Sequence, residues 1–257
     1  MPPTRSAALP RGAQESPPPL RVPWSRLGPE FIRRWGRPGG KDMPEHLEIL
    51  GPNGSGKTFF QDQVLMDRAR VRGSNIVLLS TKADDATLKQ LRYPDGKPWK
   101  TITKWPPPYG AEQVIYAARM SGFSAAARAK QRASIVDLFN HVYVPKTNRI
   151  LVLDEIGYLQ QELRLGTTLN TMFREGRALG LTLVTNTQRP VGTTRYMHSE
   201  SPWKVAFHPA DEDDAKRVAE ILGNRRRFLP ILMSLDATRF EFLLLYSKTG
   251  QCYISNM

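Results

Sequence analysis

From His46 onward, short apolar runs alternate with amphipathic stretches. Leu47-Glu48-Ile49-Leu50 predicts a short strand, and Lys57 to Arg70 a helix that turns Phe60, Val64 and Leu65 inward. Asn75 to Leu79, Ile150 to Leu153 and Leu181 to Val184 predict three further strands, apolar enough to be covered on both faces. Trp203 to Phe207 predicts a fifth. The helix after it opens with Asp211, Glu212 and Asp213, whose carboxylates suit the positive end of a helix dipole. Ser124 is placed to cap a helix running through Ala125, Ile135, Val136 and Phe139 toward His141. Between the Asn75 strand and that helix lies a long segment, read as partly helical, that Pro94, Pro98 and Pro106-Pro107-Pro108 break up. Phe240 to Tyr246 and Tyr253 to Ser255, joined around Thr249-Gly250, predict a closing hairpin. Strands alternating with helices imply an α/β fold: a mostly parallel sheet with helices on both faces.

The first 44 residues have a different texture. They hold ten of the 21 prolines, and Arg21, Arg26, Arg33, Arg34 and Arg37 make them basic. Such a segment buries too little apolar surface to order itself, so residues 1–44 are expected to be a flexible arm before a domain at 45–257. Phe31-Ile32-Arg33-Arg34-Trp35 breaks the pattern, as a patch that docks either on the domain or on a protein partner.

Composition narrows the class. There are 37 Lys and Arg against 24 Asp and Glu, a formal charge of +13, which favours an anionic partner, nucleic acid before an anionic membrane surface. A single cysteine, Cys252, excludes an internal disulfide and suits a reducing compartment. Pro2, Pro3, Arg5, Pro10 and Arg11 interrupt any signal-peptide core, and no apolar run is long enough to span a bilayer. A soluble, cytoplasmic protein without an integral membrane segment is expected. His46, His141, His198 and His208 lack metal-site spacing.

Gly51-Pro52-Asn53-Gly54-Ser55-Gly56-Lys57-Thr58 fits G-x-x-x-x-G-K-[ST] at every position. The glycines let the backbone turn so that successive N–H groups face phosphate oxygens. Lys57 adds charge at the β and γ phosphates, and the Thr58 hydroxyl suits a magnesium ion. The helix that follows turns its positive end to the same place. The motif therefore predicts an ATP site. Arg149 to Leu153 leads into Asp154 and Glu155. Asp154 is placed to hold the magnesium shell and Glu155 to act as general base on the attacking water. Ligands of open parallel sheets lie beyond the carboxyl ends of the strands, where both carboxylates would sit. A glutamate here also argues against a signalling GTPase.

Arg174-Glu175-Gly176-Arg177-Ala178-Leu179-Gly180, the apolar Leu181-Thr182-Leu183-Val184, and Thr187-Gln188-Arg189-Pro190 form the next distinctive stretch. This resembles the FtsK–HerA group of P-loop motor ATPases, which share an Arg-x-x-Gly turn, an apolar strand and a Thr/Ser-Gln-Arg-Pro close. The resemblance extends from His46 to the C-terminus and is poor between Arg92 and Arg132. It implies a RecA-like ATPase with Gln188 as the sensor beside the γ-phosphate, on a strand between the loop strand and the Asp154 strand. It implies that Arg177 is an arginine finger offered to the neighbouring subunit, with Arg174 the second candidate and Arg189 steadying the turn. It also implies hexameric homo-oligomers around double-stranded DNA, serving DNA transfer, segregation or viral genome packaging; for a viral member the location would be the virion or the host cytoplasm. The alternative is an ATP switch or assembly factor that does not translocate DNA. Arg225-Arg226-Arg227 is either a phosphate contact or a solvated loop. Arg119, Arg128, Lys130 and Arg132 are candidates for a ring's pore lining. Trp99, Trp105 and Tyr109 are expected to pack against the domain rather than stack on bases.

Overall fold

The computed structural model describes residues 18–35, 43–82, 88, 91–93, 95–120, 122–188 and 194–257. Each predicted apolar run is a strand: β2 (Leu47–Leu50), β3 (Asn75–Ser80), β6 (Arg149–Leu153), β7 (Thr182–Thr187) and β8 (Trp203–Phe207). Helices return the chain between them: α2 (Lys57–Arg72), α3 (Ala125–Val142), α4 (Ile156–Gln161), α5 (Gly166–Glu175) and α6 (Arg195–Glu200). After β8 come α7 (Glu212–Ile221), α8 (Arg225–Met233) and the hairpin of β9 (Phe242–Tyr246) with β10 (Gln251–Ser255). Asp211 and Ser124 cap α7 and α3 through side-chain oxygens.

Three strands were not anticipated: β1 (Leu20–Arg21), β4 (Lys100–Ile102) and β5 (Gln113–Ala117). All ten strands form one sheet in the order β1-β10-β9-β8-β2-β7-β6-β3-β5-β4. The seven from β8 to β4 are parallel, while β9 runs antiparallel to both its neighbours. Alternation within a strand splits the core: Ile76 and Leu78 of β3 face one side, Val77 and Leu79 the other. Because helices cover both sides, the strand reads as one unbroken apolar run.

Within the segment expected to be partly helical, Leu88 lies in a 3₁₀ turn, β4 and β5 run at the sheet's edge, and residues 83–87, 89–90, 94 and 121 lie outside the described residues. β5 pairs parallel with β3, every one of its residues is buried, and the prolines lie in the connection before it. Trp99 is buried and Trp105 stacks on His141, with ring centroids 5.9 Å apart, as expected, whereas Tyr109 is fully exposed.

The boundary near Pro44 is not where folded structure begins. α1 (Trp24–Trp35) buries Leu27, Phe31, Ile32 and Trp35 against α2 and the sheet, and β1 pairs with β10. These apolar positions recur at helical spacing and form one stripe, which gives the segment the buried surface its composition seemed to lack. The Phe31–Trp35 patch thus docks on its own domain. Residues 1–17 and 36–42 of the expected arm lie outside the described residues. No helix among the described residues is long and apolar enough to cross a membrane.

Candidate active site

Parallel strands deliver their carboxyl ends to one edge, and the loop Gly51–Thr58 leaves β2 there. The Gly51 N–H donates to the Thr187 carbonyl of β7 at 3.1 Å, seating the loop beside the neighbouring strand. Gly54 (φ 75°) and Gly56 (φ 95°) take left-handed conformations that side chains disfavour. Gly56 is also the N-cap of α2, so the helix's positive end opens into the loop. Lys57 turns back over the loop and donates to the Pro52 carbonyl at 2.6 Å. Burial lowers its pKa to about 8; the Asp154 carboxylate opposes this and the Lys82 ammonium adds to it.

Asp154 follows the last residue of β6, and Glu155 is the N-cap of α4. Lys82, just past β3, lies 3.6 Å from Asp154 Oδ2 and 3.2 Å from Glu155 Oε1. The Thr81 hydroxyl donates to Glu155 Oε2 at 3.3 Å. On the other side, Asn186 of β7 donates from Nδ2 to Asp154 Oδ1 at 3.1 Å and to Gln61 Oε1 at 2.7 Å. Asn186 and Gln61 are buried, so this amide fixes the carboxylate's orientation relative to α2. Next to Gln61, burial raises the Asp62 pKa to about 7, with the Gln61 hydrogen bond opposing and the Asp154 charge adding.

Lys57, Thr58, Lys82, Asp154, Asn186 and Gln188 line one cleft of about 640 Å³. Gln188 lies exposed just past the end of β7, which does run between β2 and β6. The sequence thus brings together the loop, Asp154 and Gln188, with Glu155 beside them. Gln61, Thr81, Lys82 and Asn186 were missed. Asn186 had a faint signal, an amide one residue before the end of a buried strand; Lys82 had none, since only the β3–β6 pairing brings it here. The glycine-lined loop with its lysine suits a triphosphate. Thr58 and Asp154 are hard oxygen donors on the same cleft, a set that suits magnesium, which takes few protein ligands.

Arg177 is elsewhere. It sits in a 3₁₀ turn (Gly176–Leu179) before β7, at the opposite end of the sheet, and its Nε donates to the Pro44 carbonyl at 3.0 Å. Arg174 is exposed and pairs with Glu175 at 2.6 Å. Arg189 lies outside the described residues. Arg132 donates to the Leu163 carbonyl at 3.0 Å, and Arg128 is 3.8 Å from Glu162. Arg225–Arg227 open α8, not a loop, with Asn224 as the cap. His198 and Lys204 both contact buried Glu48, at 2.7 and 2.8 Å. Burial alone would raise the Glu48 pKa, but the Lys204 charge and the hydrogen bonds of His198 and Lys204 hold it at about 2. Among the described residues, no cluster of three or more His, Cys, Asp or Glu could hold a metal.

No protein-family model matches the chain, and no curated protein matches it in sequence. Solved structures do match in fold. B204, the DNA-packaging ATPase from Sulfolobus turreted icosahedral virus, aligns over 82% of this chain and 96% of its own, with TM-score 0.60 and 12% identity. The genome packaging NTPase B204 from Sulfolobus turreted icosahedral virus 2, in complex with AMPPCP, aligns over the same shares with TM-score 0.55 and 12% identity. VirB4 of Thermoanaerobacter pseudethanolicus aligns over 86% of this chain and 91% of its own, with TM-score 0.59 and 11% identity. The α/β P-loop fold implied by the FtsK–HerA resemblance is the fold observed.

Proposed function

We propose that this chain is an ATP-hydrolysing motor that moves double-stranded DNA, acting in the cytoplasm as a homo-oligomer, a hexameric ring in this reading. The observation that carries the proposal is the convergence of Lys57, Thr58, Asp154 and Gln188 on one cleft beyond the strands' carboxyl ends, with Glu155 alongside. The likeness in fold to a DNA-packaging ATPase supports the motor, and the charge of +13 suits a polyanionic track.

In this mechanism the loop's backbone N–H groups beyond Pro52 hold the phosphates, together with the Lys57 ammonium, which exchanges the Pro52 carbonyl for a phosphate oxygen. Thr58 and Asp154 would hold a magnesium ion, which would supply neutralisation of phosphate charge. Asn186 keeps Asp154 oriented. Glu155 accepts the proton of the attacking water, with Thr81 steadying its carboxylate and Lys82 giving way. Gln188 senses the γ-phosphate at the end of β7, and Arg177 serves the neighbouring subunit's site.

The test is the ATPase rate with and without duplex DNA at moderate salt, beside the Glu155→Gln variant. The wild type should be stimulated by DNA. The variant should bind ATP but turn over about 10²- to 10⁴-fold more slowly, the usual worth of a positioned base. Turnover that DNA leaves unchanged would instead make the chain an ATP switch or assembly factor; full turnover by the variant would remove Glu155 from the chemistry.

A further inference from the structure

The polar half of the cleft is accounted for by phosphates and magnesium, but its other half is apolar, with Phe207, Phe240 and Met257 on its wall. Phe240 stands out there. It is a large aromatic residue left 51% exposed, and its backbone is left-handed, at φ 52°. Glycine or asparagine would take that conformation with less strain, so a phenylalanine held in it asks for a reason.

The surrounding loop holds it there. Phe240 closes the 3₁₀ turn Ala237–Arg239, its N–H donating to the Ala237 carbonyl at 3.2 Å. Asp236 Oδ1 accepts from the N–H and hydroxyl of Thr238 at 2.9 and 2.6 Å. Glu241 closes the ring: its Oε2 accepts from the Asp236 N–H at 2.9 Å, its own N–H donates to the Asp236 carbonyl at 3.1 Å, and Arg21 of β1 pairs with its carboxylate. The ring of Phe240 lies against the phosphate loop, for a Cβ added at Gly56 would stand 3.3 Å from Phe240 Cδ1.

We infer that Phe240 is the platform on which the heteroaromatic base of the bound nucleotide stacks. A nucleotide whose phosphates occupy Gly51–Thr58 must extend its base out of that loop, and the loop's apolar flank presents a fixed aromatic ring. The strained backbone then has a use, since a pre-positioned ring loses little freedom when the base arrives. Stacking is tolerant of base identity, so this residue supplies affinity rather than a choice among bases.

The inference rests on the ATP-site reading, and the experiment separates the two. Binding of ATP and of inorganic tripolyphosphate is measured for the full chain, Phe240→Gly and Phe240→Trp. The glycine variant removes the ring while suiting the left-handed backbone, so the loop keeps its shape. Phe240→Gly should weaken ATP binding by roughly 5- to 150-fold, the span of one base–aromatic stack, and leave tripolyphosphate binding unchanged. Phe240→Trp should restore ATP affinity. Unchanged ATP affinity in Phe240→Gly, or equal losses for both ligands, would overturn the base platform while leaving the phosphate site standing. A wild type that binds neither ligand would overturn the site itself, and the platform with it.

Discussion

His46, buried at the amino end of β2, and Asp62, part-buried on α2 beside Gln61, pull stability in opposite directions with pH. His46 accepts the Leu183 N–H at Nδ1 and faces the Phe173 carbonyl with Nε2, each at 3.0 Å, so only the neutral ring fits. Burial lowers its pKa to about 3, with the Phe173 carbonyl opposing and Arg177 and Arg68 assisting. Between pH 6.5 and 3 the unfolded chain binds that proton and the folded chain does not, so this contribution to stability falls as pH falls. Asp62 has the reverse sign. Its folded pKa is raised to about 7, so below that the folded state binds the extra proton and gains stability as pH falls toward 4. Each contributes a slope of up to about 1.4 kcal/mol per pH unit, so between pH 6.5 and 5 they cancel in the wild type. Urea unfolding should show the terms separately. Asp62→Asn should lose stability with falling pH and His46→Gln should gain it; parallel curves for the two variants would contradict the assignment. Histidine and aspartate in the sequence carry no hint of this, because burial is the first cause of both shifts and only the fold sets it. The turn at Gly51–Thr58, between β2 and α2, was legible by contrast, since its glycine pattern is local to eight consecutive residues.

Among elements, those whose signal is their own periodicity were readable, and those hidden by breakers were not. β2, β3, β6, β7 and β8 were each a short apolar run, and α2 and α3 carried start signals. α1 was concealed by Gly28-Pro29 inside it and by the arginines around it. Proline removes a donor and crowds the preceding turn, so the segment reads as broken although Leu27, Phe31, Ile32 and Trp35 keep helical spacing. Gly28 is needed where it stands, because a Cβ there would come within 2.7 Å of the Trp24 ring. Trp35 anchors the element. It stacks on Phe31 with ring centroids 5.4 Å apart, lies under the Arg68 guanidinium at 4.1 Å, and donates from its indole to the Glu45 carbonyl at 2.9 Å. Trp35→Ala should therefore destabilise the protein by about 3–5 kcal/mol, as large aromatic truncations in a core do. Denaturant unfolding that shows less than about 1 kcal/mol would return the segment to the status of an arm. β5 was missed for a related reason: three consecutive prolines draw attention away from Val114 to Ala118, an apolar run that lies just beyond them.

At the scale of the molecule, sheet polarity decides where Arg177 can act. Parallel strands place the phosphate loop, Asp154 and Gln188 at their carboxyl ends, while Arg177 precedes the amino end of β7. The six residues of β7 span roughly 20 Å at 3.3 Å per residue, several times the reach of an arginine side chain. Arg177 thus has no route to the cleft of its own chain. At its own end of the sheet it lines a second cleft, of about 530 Å³, with Arg34 and with Arg33 and Lys248, which pair there with Glu30 and Glu45. A neighbour in a ring that sets its phosphate-binding face against this end would receive the cation that neutralises charge at the γ-phosphate, an effect worth about 10³- to 10⁵-fold in other phosphoryl-transfer enzymes. The consequence can be measured by complementation. Lys57→Ala subunits should be inactive because they hold no ATP, and Arg177→Ala subunits because each faces a neighbour without a finger. Mixed rings contain interfaces where an intact loop on an Arg177→Ala subunit meets an intact arginine on a Lys57→Ala subunit, and these should regain a measurable share of turnover. The share should peak near equal proportions, where such interfaces are most numerous. A mixture no more active than its components, under conditions where light scattering shows mixed rings have formed, would confine Arg177 to its contact with Pro44 and leave the second cleft outside the catalytic cycle.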